Sequence, residues 1–173
     1  RWDEAADAFR AGAQSAPNDK RFPEELAGVA FKRKQFSEAV AHLNRALAID
    51  RNDDYASDFL ATIYFLQGNL EAALKYWNRV GKPQIVNVSE SPEPKIDPAL
   101  LDRAFAFSSA SELRLPQFLT TRTRLQGLGI FPSFRFDLQA RDDGRFDLAF
   151  INRERNGWGD SLLESLFLVF RGL

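Results

Sequence analysis

The chain has no cysteine and a single histidine, His42, in 173 residues. Disulfides, thiol nucleophiles and cysteine-ligated metals are therefore excluded, although a cysteine-free chain suits the cytoplasm and the periplasm equally. With no thiol and no second imidazole, the common transition-metal sites and the Ser-His arrangements have nothing to be built from. Neither sign of charge is in excess: 23 basic and 24 acidic side chains leave a net charge of -1. That balance gives no electrostatic reason to expect nucleic acid. There is no signal peptide, and no apolar run approaches the ~20 residues that a spanning helix needs. The chain opens in mid-pattern at Arg1-Trp2 and stops just after an apolar segment at Leu173. Both ends are thus expected to continue into a longer protein, and the missing targeting signal says little about location.

What is present describes an ordinary folded chain of one or two small domains, with 45% hydrophobic and 27% charged residues. Phenylalanine is abundant, with sixteen in all and ten of them after residue 100. Carboxylates are numerous, but each cluster has a plain structural use. Asp53-Asp54 opens a helix and Asp142-Asp143 makes a turn, and neither sits beside a hydrophobic recess that would prepare it for general acid work. Gly127-Leu128-Gly129 follows a helix rather than a strand, the wrong context for a dinucleotide. No enzyme activity, metal or cofactor is expected.

The first part of the chain repeats. Leu26, Ala27, Phe36, Ala39, Leu43 and Ala46 recur 34 positions later as Leu60, Ala61, Leu70, Ala73, Trp77 and Val80. The same step backwards from Phe36, Ala39 and Leu43 reaches Trp2, Ala5 and Phe9. Small residues at Ala27, Ala39, Ala46, Ala61 and Ala73 let two helices approach closely, while Phe36, Leu43 and Trp77 fill the spaces between repeats. Asn18 and Asn52 are expected to cap or turn into the helices that follow. His42 falls on an outward-facing position of a second helix.

The segments QFSEAVAHLNRALAIDRND and NLEAALKYWNRV, preceded by ELAGVAFKRK and DFLATIYFLQ, resemble tetratricopeptide repeats (TPR). Lys34 stands where that pattern has its turn glycine, which Gly68 keeps, and Arg51 stands where proline is common. The resemblance implies a concave face, built from the first helices, that binds peptides or partner proteins. On this sequence the face comprises Arg21, Glu24, Phe31 and Lys32 from one repeat and Tyr55, Asp58, Thr62 and Phe65 from the next. Its mixed polarity suits a polar peptide or a neighbouring domain. The alternative is that the repeats are only a spacer or a dimer surface, and a complete groove would need residues upstream of Arg1.

Residues 1–82 are thus read as helical repeats, and 83–98 as a proline-rich junction that includes a first strand. Pro83, Pro92, Pro94 and Pro98 break any long helix, and Gln84-Ile85-Val86-Asn87-Val88 is β-branched enough for one strand or an extended linker. Asp97-Pro98 starts a short helix, and Pro116 opens a longer one that ends at Gly127 and Gly129. After it, Phe134, Phe136 and Leu138 alternate with Arg135, Asp137 and Gln139. Beyond Asp143-Gly144, Phe146, Leu148 and Phe150 alternate less cleanly with Asp147, Ala149 and Ile151, and the pair reads as a hairpin rather than two unrelated strands. The hairpin's apolar face calls for helices as cover.

This order (strand, helix, helix, strand, strand) and the stretch TRTRLQGLGIFPSFRFDLQARDDGRFDLAFINRE resemble a POTRA domain of the Omp85 outer-membrane assembly family (surface antigen D15-like) over residues 84–155. The expected fold is α+β: helical hairpins followed by a β-α-α-β-β domain with a three-stranded sheet. The resemblance implies a periplasmic module that holds outer-membrane protein clients or assembly subunits, partly by pairing strands with a sheet edge. The strand Phe134, Arg135, Phe136, Asp137, Leu138 and Gln139 is the candidate edge, since a three-stranded sheet leaves two rims unpaired. The alternative is that residues outside this chain cover that rim. Residues 156–173 read as an apolar helix leading to a missing region, and membrane attachment is expected only through that region. The alternative is a TPR scaffold whose C-terminal domain is structural and has no role in membrane assembly.

Overall fold

The computed structural model describes residues 2–154, and the chain divides between Lys82 and Pro83 into two compact units. The segment 156–173 lies outside the described residues. Unit one is all helix: α1 (Trp2–Ser15), α2 (Arg21–Lys32), α3 (Phe36–Ile49), α4 (Asp54–Leu66) and α5 (Leu70–Trp77), with a final 3-10 turn at Asn78–Val80. The small residues at the repeat positions explain how these helices pack. Ala27, Ala39, Ala46, Ala61 and Ala73 are wholly buried together with Leu43, Leu60, Ile63 and Leu74. Where even a methyl group is too large the chain uses glycine: a Cβ on Gly12 of α1 would stand 2.1 Å from the Phe22 ring of α2.

The turns between paired helices obey the same period. After α2, the Lys34 amide donates to Phe31 O and the Gln35 amide to Ala30 O, both at 2.9 Å. After α4, Gly68 and Asn69 donate to Phe65 O and Tyr64 O at the same distance. Both are Schellman closures, which need a left-handed residue after the cap. Gly68 supplies it at φ +74, and Lys34, without glycine's freedom, is held at φ +61. The cap of α4 is Asp53 rather than Asn52, because it is the Asp53 carboxylate that accepts the Ala56 amide at 2.9 Å. The residue before α2 is Lys20, which makes no side-chain cap, and Asn18 serves as a turn residue ahead of that helix rather than as its cap. Asn69 caps α5 by accepting from Ala72.

Unit two contains β1 (Gln84–Ser91), α6 (Pro98–Ala104), β2 (Ser111–Glu112), α7 (Leu115–Leu128), β3 (Ser133–Ala140) and β4 (Phe146–Arg153). The chain is α+β, as its patterning predicts, but the sheet has four strands in the order β2-β1-β4-β3 rather than three. The additional strand is two residues long, antiparallel to β1 at Gln84 and Ile85, too short for any alternation to show. β1 runs parallel to β4, with a bulge between Ile85 and Asn87, and β3 runs antiparallel to β4 from Ser133↔Arg153 to Ala140↔Phe146. The hairpin connection spans Arg141–Arg145, longer than a two-residue Asp-Gly turn. The Gly144 amide donates to Arg141 O at 3.1 Å, and Gly144 takes φ +77.

Period two puts Phe146, Leu148, Phe150 and Asn152 of β4 on the covered face. Phe150 lies opposite Phe136, and Leu148 opposite Leu138. Leu101 and Ala104 of α6, Leu125 of α7 and Phe131 pack against Phe150, with Phe134 and Phe136 at the margin of the cluster. Phe150 is wholly buried, its ring centroid 5.3–5.8 Å from those of Phe105, Phe131, Phe134 and Phe136. Among the described residues the phenylalanines after residue 100 thus have a place: rings such as Phe105, Phe131, Phe136 and Phe150 fill the space between sheet and helices, mostly in edge-on and tilted contacts. Thr121 of α7, also wholly buried, accepts the Ala106 amide at 2.8 Å and ties the α6–β2 loop to this core.

Candidate protein-interaction surfaces

The eight residues assigned to the helical wall all lie on α2 and α4, and they differ in how free they are. Arg21, Lys32 and Tyr55 are exposed, Tyr55 at 58%. Arg21 is oriented by Asp19, whose carboxylate takes its Nη2 at 2.6 Å and its Nε at 3.0 Å. The other five are half-buried and engaged within unit one. Phe31 packs edge-on to Phe59 at 5.2 Å and tilts against Phe36, so that with Tyr55, 5.9 Å from Phe59, the rings form one aromatic row. Phe65 leans on Trp77 at 5.3 Å. Thr62 returns its hydroxyl to Asp58 O. Asp58 is the most committed: it accepts the Trp77 indole N–H at 2.9 Å and holds Lys82 Nζ at 3.0 Å.

Glu24 belongs to a charge cluster that joins the two repeats. Burial first, and the Asp53 carboxylate beside it next, push the Glu24 carboxyl up to about 7. Burial would also raise Asp53, but hydrogen bonds from Glu24, the Ala56 amide and Lys20 bring it below its ordinary range. Lys20 Nζ stands 2.8 Å from Asp50 and 3.1 Å from Asp53, which strengthens its hold on its proton. With the Lys20 ammonium alongside, a raised Glu24 carboxyl and a lowered Asp53 carboxylate are compatible in one cluster.

Two wall residues were missed. Leu66 is 58% exposed and follows Phe65, and Phe59 carries the aromatic row between the repeats. Leu66 had a signal, since it stands 34 positions after Lys32, already a wall residue. Phe59 had none, because its partner Phe31 comes from the preceding repeat.

On the sheet, all six edge candidates lie on β3, which ends the strand order, and no described strand lies beyond it. They divide between two roles. Leu138 is buried and Phe134 and Phe136 are half-buried against the core, whereas Arg135 and Gln139 are exposed and Asp137 is half-buried on the other face. The opposite rim is guarded less completely than the strand order suggests, because β2 pairs with β1 only at Gln84 and Ile85.

Residues 1–63 and 30–84 match the model of the tetratricopeptide repeat family. No curated protein matches the chain. Among solved structures it is similar to the first TPR of Spaghetti (RPAP3) bound to the HSP90 peptide SRMEEVD, with 23% identity and a TM-score of 0.44, over 74% of this chain and 82% of that one. It is also similar to the N-terminal domain of Omp85 from the thermophilic cyanobacterium Thermosynechococcus elongatus, with 18% identity and a TM-score of 0.35. That second likeness spans 42% of this chain and 34% of the other.

Proposed function

We propose that this chain is the periplasmic protein-binding region of an outer-membrane protein assembly or transport factor. Its helical wall and the rim of its sheet would hold an extended client or a partner subunit. The observation that carries the reading is β3: eight residues at the end of the strand order, with no described strand outside them. Such a rim offers backbone donors and acceptors in register, and a guest strand satisfies them at little cost in sequence. Charged and polar side chains at Arg135, Asp137 and Gln139 discourage indiscriminate self-pairing. The POTRA-like succession of elements over residues 84–155 is what connects this rim to outer-membrane work. The tetratricopeptide repeats support protein binding by the first unit, with Tyr55, Leu66, Arg21 and Lys32 as its exposed contacts.

Photocrosslinking side chains at Arg135 and Gln139, compared with Tyr55 and Phe31, test the reading in cells that express the full-length protein. Protection of the protein from protease until the outer membrane is opened, and an outer-membrane protein captured at the strand positions, are the expected results. A cytoplasmic location refutes the outer-membrane assignment. Capture at Tyr55 and Phe31 with none at the strand leaves a helical scaffold, and edge pairing is then abandoned.

A further inference from the structure

The first turn of α4 hangs on one carboxylate. Asp53 accepts the Ala56 amide at Oδ1, 2.9 Å away, and only 3% of the residue is exposed. Its other oxygen, Oδ2, and Oε1 of the half-buried Glu24 on α2 are both shut off from water, and neither meets a well-aligned donor. A buried ionised carboxylate left so is costly, whereas a neutral carboxyl is tolerated. One ammonium supplies the opposing charge. Lys20 Nζ stands 3.1 Å from Asp53 and 2.8 Å from Asp50, so it already serves two carboxylates, and an ionised Glu24 would be a third.

The other groups around this junction do not relieve that third charge. Glu25, next to Glu24 on α2, adds to the repulsion. Asp50, at the end of α3, is engaged by Lys20 and by the Asn52 amide. Arg21, at the start of α2, is held by Asp19 at 2.6 Å. Tyr55, on α4, keeps its proton more firmly than usual through burial and the nearby Glu25, Glu24 and Asp53.

We propose that Glu24 and Asp53 form a proton-operated latch between α2 and α4. With Glu24 neutral the cap of α4 is held; ionisation of Glu24 drives the Asp53 carboxylate away and releases the first turn of α4. Tyr55 stands on that turn, 58% exposed and 5.9 Å from the Phe59 ring, so the outermost ring of the wall moves with the latch. Any effect on clients rests on the wall's proposed role in binding them, whereas the latch is a property of the fold.

Linkage gives the sign. Glu24 keeps its proton up to about 7 in the latched form and only up to its ordinary 4.5 when released. The latch is therefore tightest below pH 4.5, loosens as pH rises toward 7 and changes no further beyond. His42, the chain's sole imidazole, works in the opposite sense. Expected on the surface, it is instead largely covered, its side chain 23% exposed, in a cleft rimmed by Arg10 and Arg45. Burial lowers its affinity for a proton, so its contribution favours the folded unit as pH rises.

Amide hydrogen exchange of the 173-residue chain, read by NMR across this pH range and expressed as protection relative to an unstructured amide, tests the latch. Protection of Ala56 should fall by about fivefold or more between the two limits and then level off. Ala72 is the reference within the same chain, because its acceptor is the uncharged Asn69 side chain at 3.0 Å, and its protection should hold. The nuclear Overhauser contact between the Tyr55 and Phe59 rings should weaken over the same range. Glu24→Gln, neutral at every pH, should keep Ala56 at one level of protection throughout. The latch is refuted by Ala56 protection that does not change with pH, by an equal fall at Ala72, or by the same fall in Glu24→Gln. No client is present in this experiment, so its failure leaves the outer-membrane reading standing, and a cytoplasmic location, which refutes that reading, leaves the latch standing.

Discussion

Lys34→Gly should stabilise the helical unit, although it removes a whole side chain. The left-handed conformation that Lys34 holds at φ +61 costs an L-residue about 1–2 kcal/mol relative to right-handed helix. Glycine escapes that cost but loses about 0.5–1 kcal/mol more conformational freedom on folding. The difference is a gain of about 0.5–1 kcal/mol, a rise of a few degrees in the melting temperature of a unit this small. Gly68 provides the reciprocal test at φ +74, where an added Cβ meets nothing within 4 Å. Gly68→Ala should therefore cost about 1 kcal/mol through backbone strain alone. Lys34→Ala removes the side chain but keeps the strain, and should change little. Urea unfolding followed by far-ultraviolet circular dichroism measures all three variants. If Lys34→Gly is neutral or destabilising while Lys34→Ala is destabilising too, the lysine side chain holds contacts that outweigh the backbone, and the strain argument fails.

Glu24→Gln should remove a pH dependence. A carboxyl raised to about 7 from an ordinary value of 4.5 takes up a proton on folding, so its favourable contribution is whole below pH 4.5 and is lost as pH rises through 7. Asp53, being lowered, acts in the opposite sense and only in acid, below its ordinary 3.8. Between these limits the wild type should lose about 1 kcal/mol of stability, a figure reduced for solvent screening, and Glu24→Gln should not; parallel slopes in urea titrations at several pH values would refute the raised Glu24 carboxyl. Phe150→Ala should cost about 3–5 kcal/mol, because the ring is wholly buried among four others, and should unfold unit two while the helical circular dichroism of unit one persists. Asp58→Ala should cost about 1–3 kcal/mol by leaving the Trp77 indole N–H without its acceptor; a variant with unaltered stability but weaker partner binding would instead make Asp58 a contact residue.

The parts of the fold that were legible in the sequence are those fixed by short-range rules. The period of 34 revealed the alanines of the helical core, and alternation on both sides of Asp143-Gly144 revealed β3 and β4. Lys34 could even be recognised as a substitute for glycine, although its strain appears only in the backbone angle. β2 was illegible because two residues define no period, and the hairpin's longer connection because Asp-Gly also closes a turn in which only glycine is left-handed. The surfaces divide the same way. Wall positions came from the resemblance to tetratricopeptide repeats, but that resemblance does not tell that Asp58 answers Trp77 and Lys82, or that Glu24 lies beside Asp53. Arg10 and Arg45 are brought to one cleft by helices that the sequence separates, and no local pattern announces that meeting.

Gly12, Ala46 and Val80 occupy the same place in successive repeats, 34 positions apart, and grow in size along the chain. The ring of Phe22 fills the room that Gly12 leaves vacant. Duplicating or shuffling these hairpins, or replacing them with an averaged repeat, would therefore bring mismatched thicknesses together at the α1–α2 contact. The modules look interchangeable in sequence, yet the α1–α2 contact accepts only the smallest side chain at the place that the later repeats fill with alanine and valine.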